Sequence, residues 1–231
     1  MIRAIQFQNK RVGSTFLQNA INSHTEIMGI DEVFVNVARK QGMRKSGFVP
    51  YKRSDVDTPK EYIEDIIYKT YPEHNTIFKL MYNQIGYHKG LMGFIKENKI
   101  PIIHLERKNL VKQVISGLTA ATTKHQKIDI TPDRLFNMVK GVQQENIYWR
   151  KKLKEHIRLR LYYEDIIGEN TGDKTYLSPL GNAAVCDFFN VKYEMMFSMT
   201  KKKNKEDLSV YLPNLKKIKN RFKNTKYEWM I

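Results

Sequence analysis

The chain of 231 residues contains a single cysteine, Cys186. A lone cysteine cannot form a disulfide within the chain, and it excludes a zinc site built from paired cysteines. The six histidines also lack the spacing of a metal motif such as His-Glu-x-x-His, so the sequence predicts no metal site. Because a chain without disulfides suits a reducing compartment, we expect a cytoplasmic protein.

Long hydrophobic runs are also missing from the sequence. No segment approaches the roughly 18 consecutive apolar residues that a membrane-spanning helix requires. The first residues carry charges at Arg3, Lys10 and Arg11 and lack the apolar core of a signal peptide. We therefore expect a soluble protein with no transmembrane segment.

Acidic residues are scarce relative to basic ones, with 24 Asp and Glu against 40 Lys and Arg, a formal net charge of +16. Such an excess attracts nucleic acid, an anionic membrane surface or a small polyphosphorylated ligand. Residues 200–231 form a basic C-terminal segment. Between Lys201 and Lys226, nine Lys and one Arg oppose only two acids, so half of the excess charge lies there.

Short strands alternate with helices along the chain. Strands are predicted at Ile2–Phe7, Glu26–Ile30, Thr76–Met81, Ile100–Leu105 and Ile157–Tyr163, with helical spacing of apolar residues between them. Ile85–Asn98 is predicted to be one helix, and Thr131 and Pro132 predict the start of a longer one. This alternation predicts an α/β fold with a mostly parallel sheet. Residues 1–231 show no internal repeat or linker and are predicted to form a single domain, in which 39–59 is a long excursion.

The first candidate site is the segment Lys10–Leu17, with the sequence KRVGSTFL, between a predicted strand and a predicted helix. A helix start presents unpaired backbone N–H groups and the positive end of the helix dipole, so it can hold a phosphate or sulfate. Gly13 permits close approach of the backbone, and Arg11 offers a forked pair of donors. The alternative is an ordinary helix start with Ser14 as N-cap. The chain has no Gly-Lys dipeptide, so this segment is not the Walker A loop of a P-loop kinase.

The second candidate site begins at the end of the predicted strand Ile100–Leu105. Arg107 follows that strand, and Ser116 comes nine residues later on the next predicted helix. A guanidinium and a hydroxyl placed in this way can hold one anion between them, and ligands of open α/β sheets bind at the carboxyl ends of the strands. Taken alone, Arg107 is more often an ordinary surface charge and Ser116 a serine on a helix surface, so the spacing is informative only together with the first motif.

Together the two motifs resemble the sulfotransferases that use 3′-phosphoadenosine 5′-phosphosulfate (PAPS), in particular the bacterial branch acting on carbohydrates and related small acceptors. In that family an Arg-x-Gly-Ser-Thr-x-Leu loop holds the 5′-phosphosulfate, and Arg11–Leu17 matches it, with Val12 in place of the usual small polar residue. A strand ending in Arg, followed by Asn and a later Ser, holds the 3′-phosphate. Arg107, Asn109 and Ser116 match that pattern. Weaker matches follow in the expected order at Phe78–Met81, Tyr163–Asp165 and the basic tail ending at Met230.

The resemblance implies a P-loop-like three-layer fold, with a central, mostly parallel sheet flanked by helices, and transfer of a sulfuryl group from PAPS to an acceptor hydroxyl. It implies that the following residues bind PAPS: Arg11, Gly13, Ser14, Thr15, Phe16, Arg107, Ser116, Tyr163, Lys202 and Lys203. The acceptor would be a carbohydrate, a glycolipid or a small metabolite. Neither its identity nor the oligomeric state follows from the sequence.

The resemblance also implies a catalytic group. Glu32 falls where this branch carries its general base, which takes the proton of the attacking hydroxyl. Lys10, Arg11 or Lys79 would neutralise charge on the transferring group and the leaving phosphate. In the structural alternative, Asp31 and Glu32 cap a helix that runs from 33 to 38.

Two other functions are compatible with the sequence. A basic nucleic-acid binding module would explain the net charge, but the chain shows no helix-turn-helix, RNP-type or zinc pattern, so no specific nucleic-acid partner is predicted. A non-catalytic relative that kept the nucleotide pocket would share every motif described above.

Overall fold

A five-stranded sheet forms the centre of the protein. The computed structural model describes residues 1–34, 58–88, 90–120, 127–200 and 207–231. The strands are β1 Arg3–Gln8, β2 Ile27–Glu32, β3 Asn75–Met81, β4 Ile102–Glu106 and β5 Ile157–Tyr162. Their order is β2-β3-β1-β4-β5, and every neighbouring pair is parallel. The α/β fold with a mostly parallel sheet predicted from the sequence is confirmed.

Helices follow most of the strands. They are α1 Ser14–Ile21, α2 Pro59–Glu61, α3 Tyr82–Tyr87, α4 Leu91–Glu97, α5 Leu110–Ala120, α6 Pro132–Lys152, α7 Tyr163–Ile166, α8 Pro179–Phe189 and α9 Leu215–Phe222. Helix α2 continues into a π-helical segment, Tyr62–Tyr68, and 3₁₀ turns lie at Leu208–Val210 and Glu228–Met230. A small antiparallel sheet contains β6 Ile167–Thr171, β7 Lys174–Leu177 and β8 Phe197–Ser198.

Strands β1, β3 and β4 of the central sheet are buried on both faces, because they alternate two sets of mainly apolar side chains. Ile5 and Phe7 of β1 belong to a cluster with the π-helical segment, α4 and the end of α6. Ala4 of β1 belongs to the opposite cluster, with α1 and α8. The fold therefore has three layers, with helices on both sides of the sheet.

A third apolar cluster joins α5, α6, α9 and the C-terminal turn. Its centre contains Leu135, Ile218 and Phe222, all fully buried. Asn109 Nδ2, at the start of α5, donates to the carbonyl oxygen of Met230 at 3.0 Å. The C-terminal residues therefore pack beside the carboxyl end of β4.

Several local predictions require correction. The single helix expected at Ile85–Asn98 is two helices, α3 and α4, with Gly90 in a left-handed conformation before α4. The small antiparallel sheet was not predicted, because its strands are short and half-exposed. Pro59, the predicted last residue of the excursion 39–59, instead begins α2, which Thr58 caps. Residues 35–57 lie outside the described residues. The long helix begins as predicted, with the Thr131 hydroxyl accepting from Arg134 N at 3.3 Å.

The strand order places a crevice between β1 and β4. The connection that leaves β1 leads through α1 to β2 on one side, and the connection that leaves β4 leads through α5 and α6 to β5 on the other. Connections that diverge from adjacent parallel strands leave a gap beyond the carboxyl ends of those strands, and ligands of open α/β sheets bind there. Both sequence motifs lie at this point of the sheet.

Candidate anion-binding site

The loop between β1 and α1 contains two residues in the left-handed region, Arg11 at φ 63° and Gly13 at φ 84°. Gly13 is the N-cap of α1, and no side chain caps that helix. The alternative in which Ser14 is an ordinary N-cap is therefore wrong. The first amides of a helix have no partner within the helix. Since none of the described side chains caps α1, its first amides are the donors that an anion could use.

Tyr163 packs directly on this loop. A Cβ atom added to Gly13 would lie 2.0 Å from Tyr163 Cδ2, so glycine is required here for space as well as for its positive φ. The Tyr163 ring also makes an edge contact with Phe16, at 6.2 Å between centroids. Tyr163, predicted to bind PAPS, thus touches the anion-binding loop itself.

Three predicted phosphate ligands meet beside the loop. Arg11 Nε donates to Ser116 Oγ at 3.1 Å, although 105 residues separate the two in sequence. Arg107 Nη1 donates to the carbonyl oxygen of Arg11 at 3.4 Å, and its guanidinium carbon lies 5.2 Å from the centre of the Tyr163 ring. The structure therefore brings together Arg11 of the first motif and Arg107 and Ser116 of the second.

This arrangement concentrates positive charge. Burial, and then the charge of Arg107, lowers the pKa of Arg11 from its ordinary value. Two guanidiniums held side by side repel each other, and an anion between them would relieve that repulsion. Since Ser116 Oγ accepts from Arg11, its own O–H remains able to donate to such an anion. The donor set therefore suits a phosphate or sulfate.

Glu164 lies at the start of the neighbouring helix, α5. Its carboxylate accepts from the backbone amides of Lys108 at 2.8 Å and Asn109 at 3.1 Å, and it lies 3.5 Å from Arg107 Nε. Asn109 Oδ1 also accepts from Lys112 N at 2.8 Å, as an N-cap does. Asn109, matched to the 3′-phosphate site, thus has both its amide oxygen and its amide nitrogen in structural bonds. Of the two helix starts at the crevice, that of α1 is the one without a capping carboxylate.

Three polar side chains that the sequence motifs did not include hold the loop in place. Gln6 Nε2 donates to the Ser14 carbonyl oxygen at 3.2 Å, and Gln113 Nε2 donates to the Lys10 carbonyl oxygen at 2.8 Å. Asn9 Nδ2 donates to Glu145 of α6 at 2.7 Å. Gln6 could have been found in the sequence, since a glutamine inside an otherwise apolar strand is unusual. No local sequence pattern indicated that Gln113 or Glu145 would contact this loop.

The remaining predicted loop ligands differ in exposure. Thr15 is exposed and Ser14 half-buried, whereas the Phe16 side chain lies in the core, so only its backbone amide faces the helix start. The Lys10 side chain is exposed and forms no ion pair with the described residues. Lys202 and Lys203 lie outside the described residues.

Glu32 and Lys79 lie on adjacent strands at the same carboxyl edge. Glu32 ends β2 and pairs with Lys79 in register, after a local irregularity between Ile30 and Glu32. Lys79 is 2% exposed, and its Nζ lies 2.5 Å from Asp31 Oδ1. Asp31 and Glu32 therefore belong to a strand, and Asp31 neutralises a buried lysine. The helix that they were expected to cap, 33 to 38, falls mostly outside the described residues.

Another polar network lies beneath this edge on the α6 face of the sheet. Tyr82 Oη lies 2.5 Å from His104 Nε2, and His104 Nδ1 lies 3.2 Å from Glu106 Oε1, which Arg150 Nε approaches to 3.4 Å. Burial, and then the charge of Glu106, raises the pKa of Tyr82. Because Tyr82 is only 2% exposed and its hydroxyl is bonded to His104, this network joins β4 to α3 within the core.

The described part of the chain lacks two features. No helix there is both long enough and apolar enough to cross a membrane. Within the same ranges, no three side chains of His, Cys, Asp or Glu are grouped as metal ligands would be. Comparison of the sequence with protein-family models gives no match, and no curated protein sequence matches it. Any assignment of function therefore depends on the geometry of the site.

Proposed function

We propose that this protein is a sulfotransferase that binds PAPS and passes its sulfuryl group to an acceptor hydroxyl on a carbohydrate, a glycolipid or a small metabolite. The observation that carries the proposal is the meeting of Arg11, Arg107 and Ser116 beside the uncapped start of α1. These groups lie at the carboxyl ends of β1 and β4, where the strand order opens a crevice for a ligand.

The site offers two separate sets of donors, which suits a nucleotide with two anionic ends. The amides and hydroxyls of Ser14 and Thr15 would hold the 5′-phosphosulfate at the start of α1. Ser116 and the Arg107 guanidinium would hold the 3′-phosphate, since a forked guanidinium matches the oxygens of a phosphate. A mononucleotide without the 3′-phosphate would leave the second set unused.

In the proposed reaction the acceptor oxygen forms a bond to sulfur while the bond from sulfur to the phosphate oxygen breaks. PAPS supplies the activated sulfuryl group, and the phosphate oxygen leaves with the bonding electrons. Glu32 would take the acceptor's proton. It lies two strands from β1, about 10 Å away at the usual strand spacing, which leaves room for an acceptor between base and loop.

Lys10 and Arg11 are the cations best placed to stabilise charge on the leaving phosphate, because both belong to the loop after β1. Lys79 is less suited to this role, since its ammonium group is already bonded to Asp31. Its role would be to keep the carboxyl end of β2 against β3, and so to position Glu32.

Thermal unfolding with two nucleotides tests the proposal. Adenosine 3′,5′-bisphosphate, the product nucleotide, should raise the melting temperature, because a ligand that binds only the folded state stabilises it. AMP should do so much less. Arg107→Ala should remove most of the difference between the two nucleotides, whereas Arg158→Ala, an exposed arginine of β5, should preserve it.

Equal melting shifts with both nucleotides would rule out the 3′-phosphate site. Nucleotide binding with no transfer from sulfur-labelled PAPS to any acceptor in a broad screen would instead favour a non-catalytic relative that kept the pocket. The two measurements therefore separate the nucleotide assignment from the catalytic one.

A further inference from the structure

A pocket of about 400 Å³ lies between α6 and the C-terminal segment 225–227, outside the residues of the proposed nucleotide site. The residues that line it are Phe136, Lys140, Gln143, Gln144, Ile147, Thr225, Lys226 and Tyr227. None of them takes part in the contacts around Arg11, Arg107 and Ser116. The pocket therefore needs an explanation of its own.

The base of the pocket is aromatic. The Phe136 ring makes edge contacts with Phe222 at 5.3 Å and with Tyr227 at 5.7 Å between centroids. Tyr227 Oη donates to Gln143 Oε1 at 2.6 Å, which fixes the Tyr227 ring against α6. At the other end, the Ile147 side chain is 49% exposed. A flat apolar group would cover Ile147 and pack on these rings, which favours an aromatic ligand.

The rim of the pocket is cationic. Lys140 Nζ lies 6.0 Å from the Phe136 ring centre, and Lys226 Nζ lies 5.2 Å from that of Tyr227. No acidic residue is among the lining side chains. Since the Gln143 oxygen is bonded to Tyr227, its amide N–H groups are the part that remains to donate to a ligand.

Other charges near the pocket do not cancel this rim. Arg221 lies over the Phe136 ring at 3.9 Å and pairs with Asp133. On α6, the carboxylate of Glu145 accepts from Asn9 of the loop after β1. The three nearby carboxylates, those of Asp133, Glu145 and Glu228, are each bonded to another residue, while both rim lysines lack a carboxylate partner among the described residues.

We propose that this pocket binds an aromatic organic anion, a flat ring system that carries a sulfonate, sulfate or carboxylate group. The ring would pack on Phe136, Tyr227 and Ile147, and the anion would lie between Lys140, Lys226 and the amide of Gln143. A neutral aromatic compound would gain only the apolar contacts, and a cationic one would be repelled by the rim. The site is independent of the proposed sulfuryl transfer.

Titration calorimetry with 8-anilinonaphthalene-1-sulfonate tests this site directly. We expect one molecule bound per chain, with at least about tenfold higher affinity than the neutral analogue N-phenyl-1-naphthylamine, because one well-made charged contact amounts to about that factor. Saturating adenosine 3′,5′-bisphosphate should leave the affinity unchanged. Binding of the nucleotide is measured separately, so failure of one site does not imply failure of the other.

Matched variants locate the binding. Ile147→Glu should weaken the sulfonate at least tenfold, because it removes an apolar contact and adds a like charge. Leu180→Glu places the same change on α8, at a side chain that is 85% exposed, and should have no effect. A double variant that combines Lys140→Gln with Lys226→Gln should remove the preference for the sulfonate over the neutral compound. Lys151→Gln, on α6 like Lys140, should preserve that preference.

If Ile147→Glu and Leu180→Glu lowered the affinity for the sulfonate equally, or if neither lowered it, the assignment to this pocket would be overturned. Equal affinity of the parent protein for the charged and the neutral compound would overturn the proposed selectivity for anions. Circular dichroism of each variant shows whether its fold is intact, and both glutamate substitutions are at exposed positions where a folded product is expected.

Discussion

Single residues of the loop after β1 are held by partners far along the chain. Arg11 is bonded to Ser116, and Gly13 lies under Tyr163. Arg11 also adopts a positive φ without being glycine, which has a free-energy cost that its surroundings must offset. The loop conformation is therefore fixed by tertiary contacts rather than by its own sequence.

Gly13→Ala tests the contact with Tyr163, and Gly90→Ala is its matched control. Both glycines precede a helix, at φ 84° and 86°, but a Cβ at Gly90 meets nothing within 4 Å. Gly90→Ala should lower the free energy of unfolding by about 1 kcal/mol, the cost of the positive φ. Gly13→Ala should lower it by about 1–3 kcal/mol more, because the Tyr163 ring must move. Urea unfolding measures both, and equal losses would contradict the contact.

Glu32→Gln tests the proposed general base. Turnover with PAPS should fall by roughly 10²–10⁴-fold, the usual effect of losing a general base, while binding of the product nucleotide is unchanged. Asp31→Asn is the neighbouring change, and it should act mainly on stability, because Asp31 neutralises the buried Lys79. Full turnover in Glu32→Gln would place the base elsewhere.

The histidine nearest to Glu32 in sequence, His24, is not placed to act as that base. It lies between α1 and β2, at the amino end of the sheet, and its Nε2 is 2.9 Å from the Lys192 carbonyl oxygen.

Two buried tyrosines provide a test of the polar network under the site. Tyr82→Phe would leave His104 Nε2 buried without its partner and should lower the free energy of unfolding by about 1–3 kcal/mol. Tyr68 is also buried, but its hydroxyl has no hydrogen-bond partner among the described residues. Tyr68→Phe should therefore be neutral or slightly stabilising. If Tyr68→Phe lowered the free energy of unfolding as much as Tyr82→Phe, the bond of Tyr82 to His104 would make no specific contribution to stability.

At the scale of elements, α1 and α5 start at the same edge of the sheet but are capped differently. The first turn of α5 is completed by Glu164 and Asn109, whereas the N-cap of α1 is Gly13, which has no side chain. A helix start left open beside two guanidiniums is suited to an external anion. The contrast explains why the ligand is expected at α1 and not at α5.

Glu164→Ala should open the start of α5 and lower the free energy of unfolding by about 0.5–2 kcal/mol, the range for loss of a helix cap. Asp165→Ala, one residue away, removes only an exposed partner of Lys108 and should change stability little. Urea unfolding of the two variants measures the difference. If both variants matched the parent protein, the bonds of Glu164 to the backbone would not stabilise the fold.

The elements themselves were predicted with unequal success. The strand predicted at Ile100–Leu105, observed as β4 Ile102–Glu106, was evident from a run of nearly all apolar residues, which is typical of a strand buried on both faces. The division of Ile85–Asn98 into α3 and α4 was missed, because the helical spacing of apolar residues continues across Gly90.

At the scale of the whole molecule, the net charge of +16 leads to a prediction about DNA. Duplex or single-stranded DNA should bind weakly and without sequence preference, with affinity that falls steeply between about 50 and 200 mM salt, because such binding depends on release of counterions. Adenosine 3′,5′-bisphosphate should compete with it. Fluorescence anisotropy with labelled DNA of several sequences measures both effects.

A sequence-specific complex that survives about 200 mM salt and ignores the nucleotide would favour the nucleic-acid binding module over the sulfotransferase. The proposed nucleotide site would then have to be tested without DNA present. The charge of the chain is compatible with either outcome, since it reports attraction to anions in general.

The sequence by itself determined the parallel α/β fold and the positions along the chain of both candidate anion-binding motifs. Hydrophobic periodicity depends on near neighbours in the chain, and parallel strands bring the segments that follow them to one edge of the sheet. That is why Arg11, Arg107 and Ser116 could be named together before their distances were known.

Only the tertiary structure decided which partners those residues have. Three contacts depend on the strand order β2-β3-β1-β4-β5, which no local sequence pattern encodes. They are the packing of Tyr163 on Gly13, the ion pair of Asp31 with Lys79, and the bonds of Glu164 at the start of α5. The aromatic pocket on α6 likewise exists only because the C-terminal segment packs against that helix. The order of the strands and the packing of the helices decide which distant residues meet. Both depend on how the whole chain buries its apolar side chains at once.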